Sequence, residues 1–208
     1  MPRRVTGPAA QPVAPSSPRA PARPPAGPAA WTGAPGVGAR DGFERPTPSG
    51  DTTSSLAAIN AVRLVNGKDS TCVATTRINL RRAGMDGLPE ATGNDKNNPR
   101  GMMVQMLNSG HWESAAIPGS TPTTIRSTYG TATANVLSRD AFDAAVAQGH
   151  IPEGAVVFQT KHGWDYNKGS LGNDVGIVRD GTLHNFRRMS SLRVYGDATR
   201  DLVVLLPR

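Results

Sequence analysis

The sequence predicts an α+β domain behind a long irregular tail, and three observations carry that expectation. Apolar residues at helical spacing occupy the first half of the body, short apolar runs ending in glycine turns occupy the second, and the first fifty residues show neither period. Twelve of the 18 prolines precede Gly50, in stretches such as "AQPVAPSSPRAPARPPAGPAA". Such sequence cannot bury enough apolar surface to offset the entropy of ordering it. Residues 1–50 are therefore predicted to be a disordered, Pro-rich basic tail, and residues 51–208 a folded domain.

The elements follow in order. "SSLAAINAVRLV" (54–65) places Leu56, Ile59 and Val62 near helical spacing behind a serine cap, and "NGKDS" then breaks the chain. "STCVATTRINLRRAG" is the next helix, with Ser70 or Thr71 as its cap and Gly84 just past its end, which puts Cys72 in the first turn. After a polar loop, "RGMMVQMLNSG" reads as a short helix of core methionines. Residues 109–137, rich in Thr, Ser, Gly and Pro, read as irregular with possible short strands. "SRDAFDAAVAQG" is a helix capped by Ser138 and ended by Gly149. The texture then turns to β: "AVVFQTK", "DVGIVRDG", "TLHNFRR" and the final "DLVVLL", with Asp180-Gly181 marking a hairpin. Helices first and an antiparallel sheet second is the predicted pattern.

Charge and cysteine usage narrow the partners. Of the net charge of +7, the tail holds +4, from six arginines (Arg3, Arg4, Arg19, Arg23, Arg40, Arg45) against Asp41 and Glu44, so the folded part is only mildly basic. The arginines are scattered and accompanied only by Trp31 and Phe43, the pattern of a solvated linker, so no specific nucleic-acid partner is expected. "MPRR" runs into proline-broken sequence rather than an apolar stretch, so neither a Sec signal nor a membrane span is expected. A single cysteine excludes an internal disulfide framework and leaves one thiol to explain.

A thiol in the first turn of a helix meets the positive end of the helix dipole and unpaired N–H groups, which favour the nucleophilic thiolate and predict a lowered pKa. A lone cysteine can equally be a small buried hydrophobe. The surroundings point to the first reading. "DSTCVATTRINLRRAGMDGLP", followed much later by "IPEGAVVFQ…DVGIVRDGTLHNF", resembles the NlpC-type and CHAP-type cysteine peptidases over roughly residues 70–90 and 150–188. In those families the nucleophilic cysteine opens a helix that ends in a phrase like "RRAG", and a strand pair carries "HVGIV". The resemblance implies a papain-like fold and hydrolysis of an amide in peptidoglycan stem peptides or at the glycan–peptide junction. It departs at one position: "GNDVGIV" puts Asp174 where those families have histidine.

Four histidines can supply the missing base. His111 and His150 lie in loops away from the hairpin. His162 ends the first strand of the hairpin sheet while Asp174 begins the second, so antiparallel pairing makes them candidate cross-strand neighbours. A two-residue Asp180-Gly181 turn pairs Ile177 with His184 and Gly176 with Asn185, which sets Asn185 on the face of Asp174 and turns His184 away. A bulged turn reverses that parity and makes His184 the alternate base, oriented by Asp174. The expected catalytic set is thus Cys72 as nucleophile, His162 or His184 as base, and Asp174 or Asn185 fixing the imidazole tautomer, with backbone N–H groups at the helix start holding the oxyanion. Trp164 and Tyr166, in "HGWDYNKGS", are candidate substrate-stacking rings, or else packing at the hairpin end. One histidine with Asp165 and Asp174 is a poor metal set, and "GAPGVGARDG" lacks the helix and Lys-Ser/Thr pair of a phosphate loop, so no metal or cofactor is expected.

The leading expectation is a monomeric peptidoglycan endopeptidase or amidase, secreted or delivered to the cell envelope by a route without a Sec signal, acting on a peptide-like substrate. The alternatives are a non-catalytic wall- or peptide-binding module, in which Asp174 marks lost chemistry, and a papain-like effector or toxin acting on proteins inside a cell, for which the location is cytoplasmic.

Overall fold

The computed structural model describes residues 50–65, 71–89, 98–160, 163–164, 173–185 and 201–208. The predicted tail, apart from Gly50, and His162, Asp165 and Tyr166 lie outside these residues. The described residues form an α+β fold of four helices and an open antiparallel sheet of seven strands. The helices are α1 (Gly50–Ala61), α2 (Cys72–Arg82), α3 (Pro99–Asn108) and α4 (Arg139–Ala147). The strands are β1 (Trp112–Ser114), β2 (Thr121–Ser127), β3 (Gly130–Ser138), β4 (Val156–Thr160), β5 (Asp174–Arg179), β6 (Thr182–His184) and β7 (Asp201–Pro207).

The helix ends follow local chemistry. Thr71 is extended and its hydroxyl accepts from the Ala74 N–H (3.1 Å), so Cys72 is the first helical residue of α2. At the other end Gly84 takes φ 75°, its N–H donates to Arg81 O, and the Met85 N–H donates to Leu80 O, closing the last turn. Asn98 caps α3 with Pro99 behind it, and Ser138 caps α4. α1 is shifted from expectation, starting four residues before Ser54 and ending at Ala61 rather than Val65: Asp51 suits the positive end of its dipole and Thr52 is buried. Its far end is tied down by Arg179, whose guanidinium donates to Ile59 O (2.6 Å) and Val62 O (3.3 Å).

The strand order is β2-β3-β7-β4-β5-β6, and β1 joins β7 beyond β3 on the same edge. Asn135 stitches that junction, its N–H and side-chain amide donating to Ser114 Oγ and Ser114 O. One sheet face buries Val156, Phe158, Val175, Ile177, Val203 and Leu205 against Val73 and Leu80 of α2 and the methionines of α3. The other buries Val157, Val178, Leu183, Leu202 and Val204 against Phe142 and Ala145 of α4. Covering on both sides explains why β4, β5 and β7 are unbroken apolar runs rather than alternating ones.

Two expectations are refined. The possible short strands of residues 109–137 are β1 and a longer, regular β2–β3 hairpin, which pairs Thr121 to Ser127 with Val136 to Gly130. On β2 only Ile125 is buried, so an edge strand built mostly of threonine, serine and proline shows no apolar alternation to read. The sheet also does not simply follow the helices, since α4 lies between β3 and β4 in the chain.

The β5–β6 hairpin positions the site. Asp180 and Gly181 both have positive φ (54° and 64°), the two-residue turn that matches strand twist. Glu153 clamps it: the N–H groups of Asp180 and Gly181 donate to Glu153 Oε2 (2.7 Å) and Oε1 (3.0 Å). Replacing Glu153 with Ala leaves these N–H groups without their charged acceptor and is expected to lower stability by about 1–2 kcal/mol, measured as a reduced urea midpoint.

Candidate active site

Cys72 stands where α2 meets the start of β5. One helical turn on, the Thr76 hydroxyl donates to the Val175 carbonyl (3.3 Å) inside the core. Three residues further, buried Asn79 pairs with the Val65 backbone in both directions (2.8 Å each), holding the chain after α1 to the same helix. These bonds fix the helix on the sheet and bring the thiol to Asp174, the first residue of β5.

The thiol lies within hydrogen-bonding reach of the Asp174 carboxylate and beside the backbone N–H groups of Val73 and Val175. The carboxylate is itself held on both oxygens. The Asn185 amide donates to Oδ2 (2.7 Å) and the Val175 N–H donates to Oδ1 (2.9 Å). Asp174 and Asn185 are only 3% and 4% exposed, so this is a buried polar chain from thiol to carboxylate to amide.

Burial shifts both titrating groups. It pushes the Cys72 thiol well above the ordinary thiol range, and the negative charge of Asp174 and the bond the thiol makes to it push in the same direction. The Val73 and Val175 N–H groups oppose this and lose. The lowered pKa expected from the helix start is therefore overturned, because a helix terminus contributes about 1 kcal/mol while lost hydration and an adjacent carboxylate contribute more. Burial also raises Asp174 from 3.8 to about 6, against the hydrogen bonds from Cys72, Val175 and Asn185 that hold it down.

The strand register sorts the remaining candidates. Ile177 pairs with His184, so His184 lies on the face opposite to Asn185 and Asp174, and the bulged turn that would reverse this parity does not form. The cross-strand partner of Asp174 is Gln159, not His162. The register is set at the other end of β4, where the Gly154 N–H donates to Val178 O and the Val178 N–H donates to Ala155 O, and counting from there ends β4 at Thr160. Trp164 is 5% exposed and belongs to the core cluster that contacts Cys72, so it is a packing residue. His111 is exposed in its loop, and His150 follows α4 with its N–H donating to Ala145 O.

Sequence reasoning missed Gln159 and Asn173, both buried at this end of the sheet. The available signal was a glutamine inside the otherwise apolar "AVVFQ". Among the described residues no three His, Cys, Asp or Glu side chains come together as a metal site, and no helix is long and apolar enough to cross a membrane. No family model, curated protein or solved structure matches the chain.

The raised Asp174 has a defined stability consequence. The folded state holds this proton more tightly than the unfolded chain, so folding stability falls as pH rises from 3.8 towards about 6 and stays reduced above it. Asp174→Asn lacks that ionisation. Its stability advantage over wild type is expected to widen by on the order of 2–3 kcal/mol between about pH 4 and about pH 7, read from urea unfolding across that range.

Proposed function

We propose that residues 51–208 form a papain-like cysteine hydrolase of the NlpC/CHAP cell-wall type, cleaving an amide in peptidoglycan peptides with Cys72 as nucleophile. The observation that carries this reading is the convergence of three groups from three elements: a thiol at the first residue of a helix, a carboxylate at the first residue of the facing strand, and an amide just past the next strand that orients the carboxylate. Nucleophile, proton acceptor and orienting group in hydrogen-bonded series are what acyl transfer requires. The positive end of the α2 dipole is suited to stabilise the oxyanion. Within the described residues, the proton acceptor touching the thiol is Asp174.

One observation favours a second reading, a non-catalytic wall- or peptide-binding module. The thiol is held protonated beside a negative carboxylate, which opposes formation of a thiolate.

Digestion of purified peptidoglycan separates the two. Wild type is expected to release new amino groups or soluble fragments, and Cys72→Ala to fall to background, a loss of at least about a thousandfold. Retained turnover in Cys72→Ala ends the nucleophile assignment. Wall binding without product, together with a Cys72 inert to alkylation, establishes the binding module instead.

A further inference from the structure

Resting on the hydrolase reading, we propose that Asp174 itself is the general base for Cys72, the thiol giving its proton directly to the carboxylate with no imidazole between them. Three observations lead there. First, thiol and carboxylate are hydrogen-bonded directly, so no ring stands between them. Second, the carboxylate is aimed: Asn185 Nδ2 donates to one oxygen and the Val175 N–H to the other, and both donors sit on the hairpin whose turn Glu153 clamps. Third, among the described residues the other groups bonded to or paired with the two are uncharged: Val73 from α2, Val175 from β5, Asn185 beyond β6, and Gln159 opposite Asp174 on β4, while His184, on the α2-facing side of the sheet, pairs with Ile177. Among the described residues each member is the other's one titrating neighbour.

The proton inventory explains how a buried site can use such a pair. Moving the proton from sulfur to oxygen converts S–H and carboxylate into thiolate and carboxylic acid, and the net charge stays at one negative. A buried neutral thiol–imidazole pair must instead create two charges at once, at a cost of desolvation. Burial has also brought Asp174 up to about 6, closer to working pH and so a stronger base than a solvated carboxylate.

The reaction then balances. The S–H bond breaks as the Asp174 O–H bond forms, and the thiolate attacks the amide carbonyl carbon. The tetrahedral oxyanion collapses, the C–N bond breaks, and the departing amine takes the proton from Asp174. Water attacks the thioester, gives a proton to Asp174, and expels the thiolate, which regains that proton.

The dyad predicts an unusual pH profile for alkylation of Cys72 by iodoacetamide, which needs no wall substrate. The reactive tautomer and the dominant form carry the same number of protons once Asp174 would ionise alone. The rate should rise roughly tenfold per pH unit below the break near 6 and stay level from about pH 6.5 to about pH 8.5. In Asp174→Asn the level region should be replaced by a continuous rise through about pH 8.5, as for an isolated thiol. His162→Ala tests the imidazole expected from the sequence and should keep the wild-type shape. A wild-type rate that climbs throughout, or a level region that His162→Ala abolishes, overturns the proposal. The wild-type and His162→Ala profiles decide this even if Asp174→Asn fails to fold. The stated profile without wall digestion refutes the hydrolase reading and leaves the dyad, whereas digestion with a continuously rising profile does the reverse.

Discussion

The seating of α2 on the first residues of β5 is the constraint on which the site depends. A helix start and a strand start meet end to end, held by the Thr76 hydroxyl on the Val175 carbonyl and, further along the helix, by Asn79 on the Val65 backbone. Because Thr76 lies four residues after Cys72, it stands one turn along the same helical face, so the bond that anchors the helix also aims the thiol. Any slip of the helix against the sheet would separate sulfur from carboxylate while leaving both in the core.

That seating creates an electrostatic problem which the second strand of the hairpin answers. A carboxylate 3% exposed loses most of its hydration, and its rise from 3.8 to about 6 corresponds to on the order of 3 kcal/mol. Without the Asn185 amide, the Val175 N–H and the thiol, the rise would be larger. Asn185 can serve only because the Asp180-Gly181 turn has two residues. With one more residue in the turn, Ile177 would pair with Asn185 and the asparagine would be on the opposite face. Glu153 reaches the turn from before β4 and accepts both of its N–H groups, so a residue distant in sequence helps keep the register that completes the site.

The two-sided packing of the sheet gives these polar groups a rigid frame. β4, β5 and β7 are buried on both faces, under α2 and α3 on one side and α4 on the other. Among the described residues, the buried polar side chains Gln159, Thr160, Asn173, Asp174 and Asn185 gather at one end of this frame. Such a cluster is costly in a core unless its members are hydrogen-bonded, as Asp174 is by Asn185 and the Val175 N–H.

Much of this was written locally. The helix around Cys72, with Thr71 at its start and Gly84 past its end, follows from side chains within a few residues, as does the Asp-Gly turn that fixes the pairing of Ile177 with His184. The β2–β3 hairpin was not legible, because a threonine-rich edge strand has one buried residue and no apolar period. The pairing of Gln159 with Asp174 was not legible either, since the register of β4 against β5 is set by contacts at Gly154 and Ala155 rather than by a turn. The sequence by itself determined that one thiol opens a helix and that an aspartate begins the strand where a histidine was expected. Only the tertiary structure decided that the two touch and that the thiol is held protonated, because burial and a neighbouring charge arise from packing and outweigh what the helix start alone contributes.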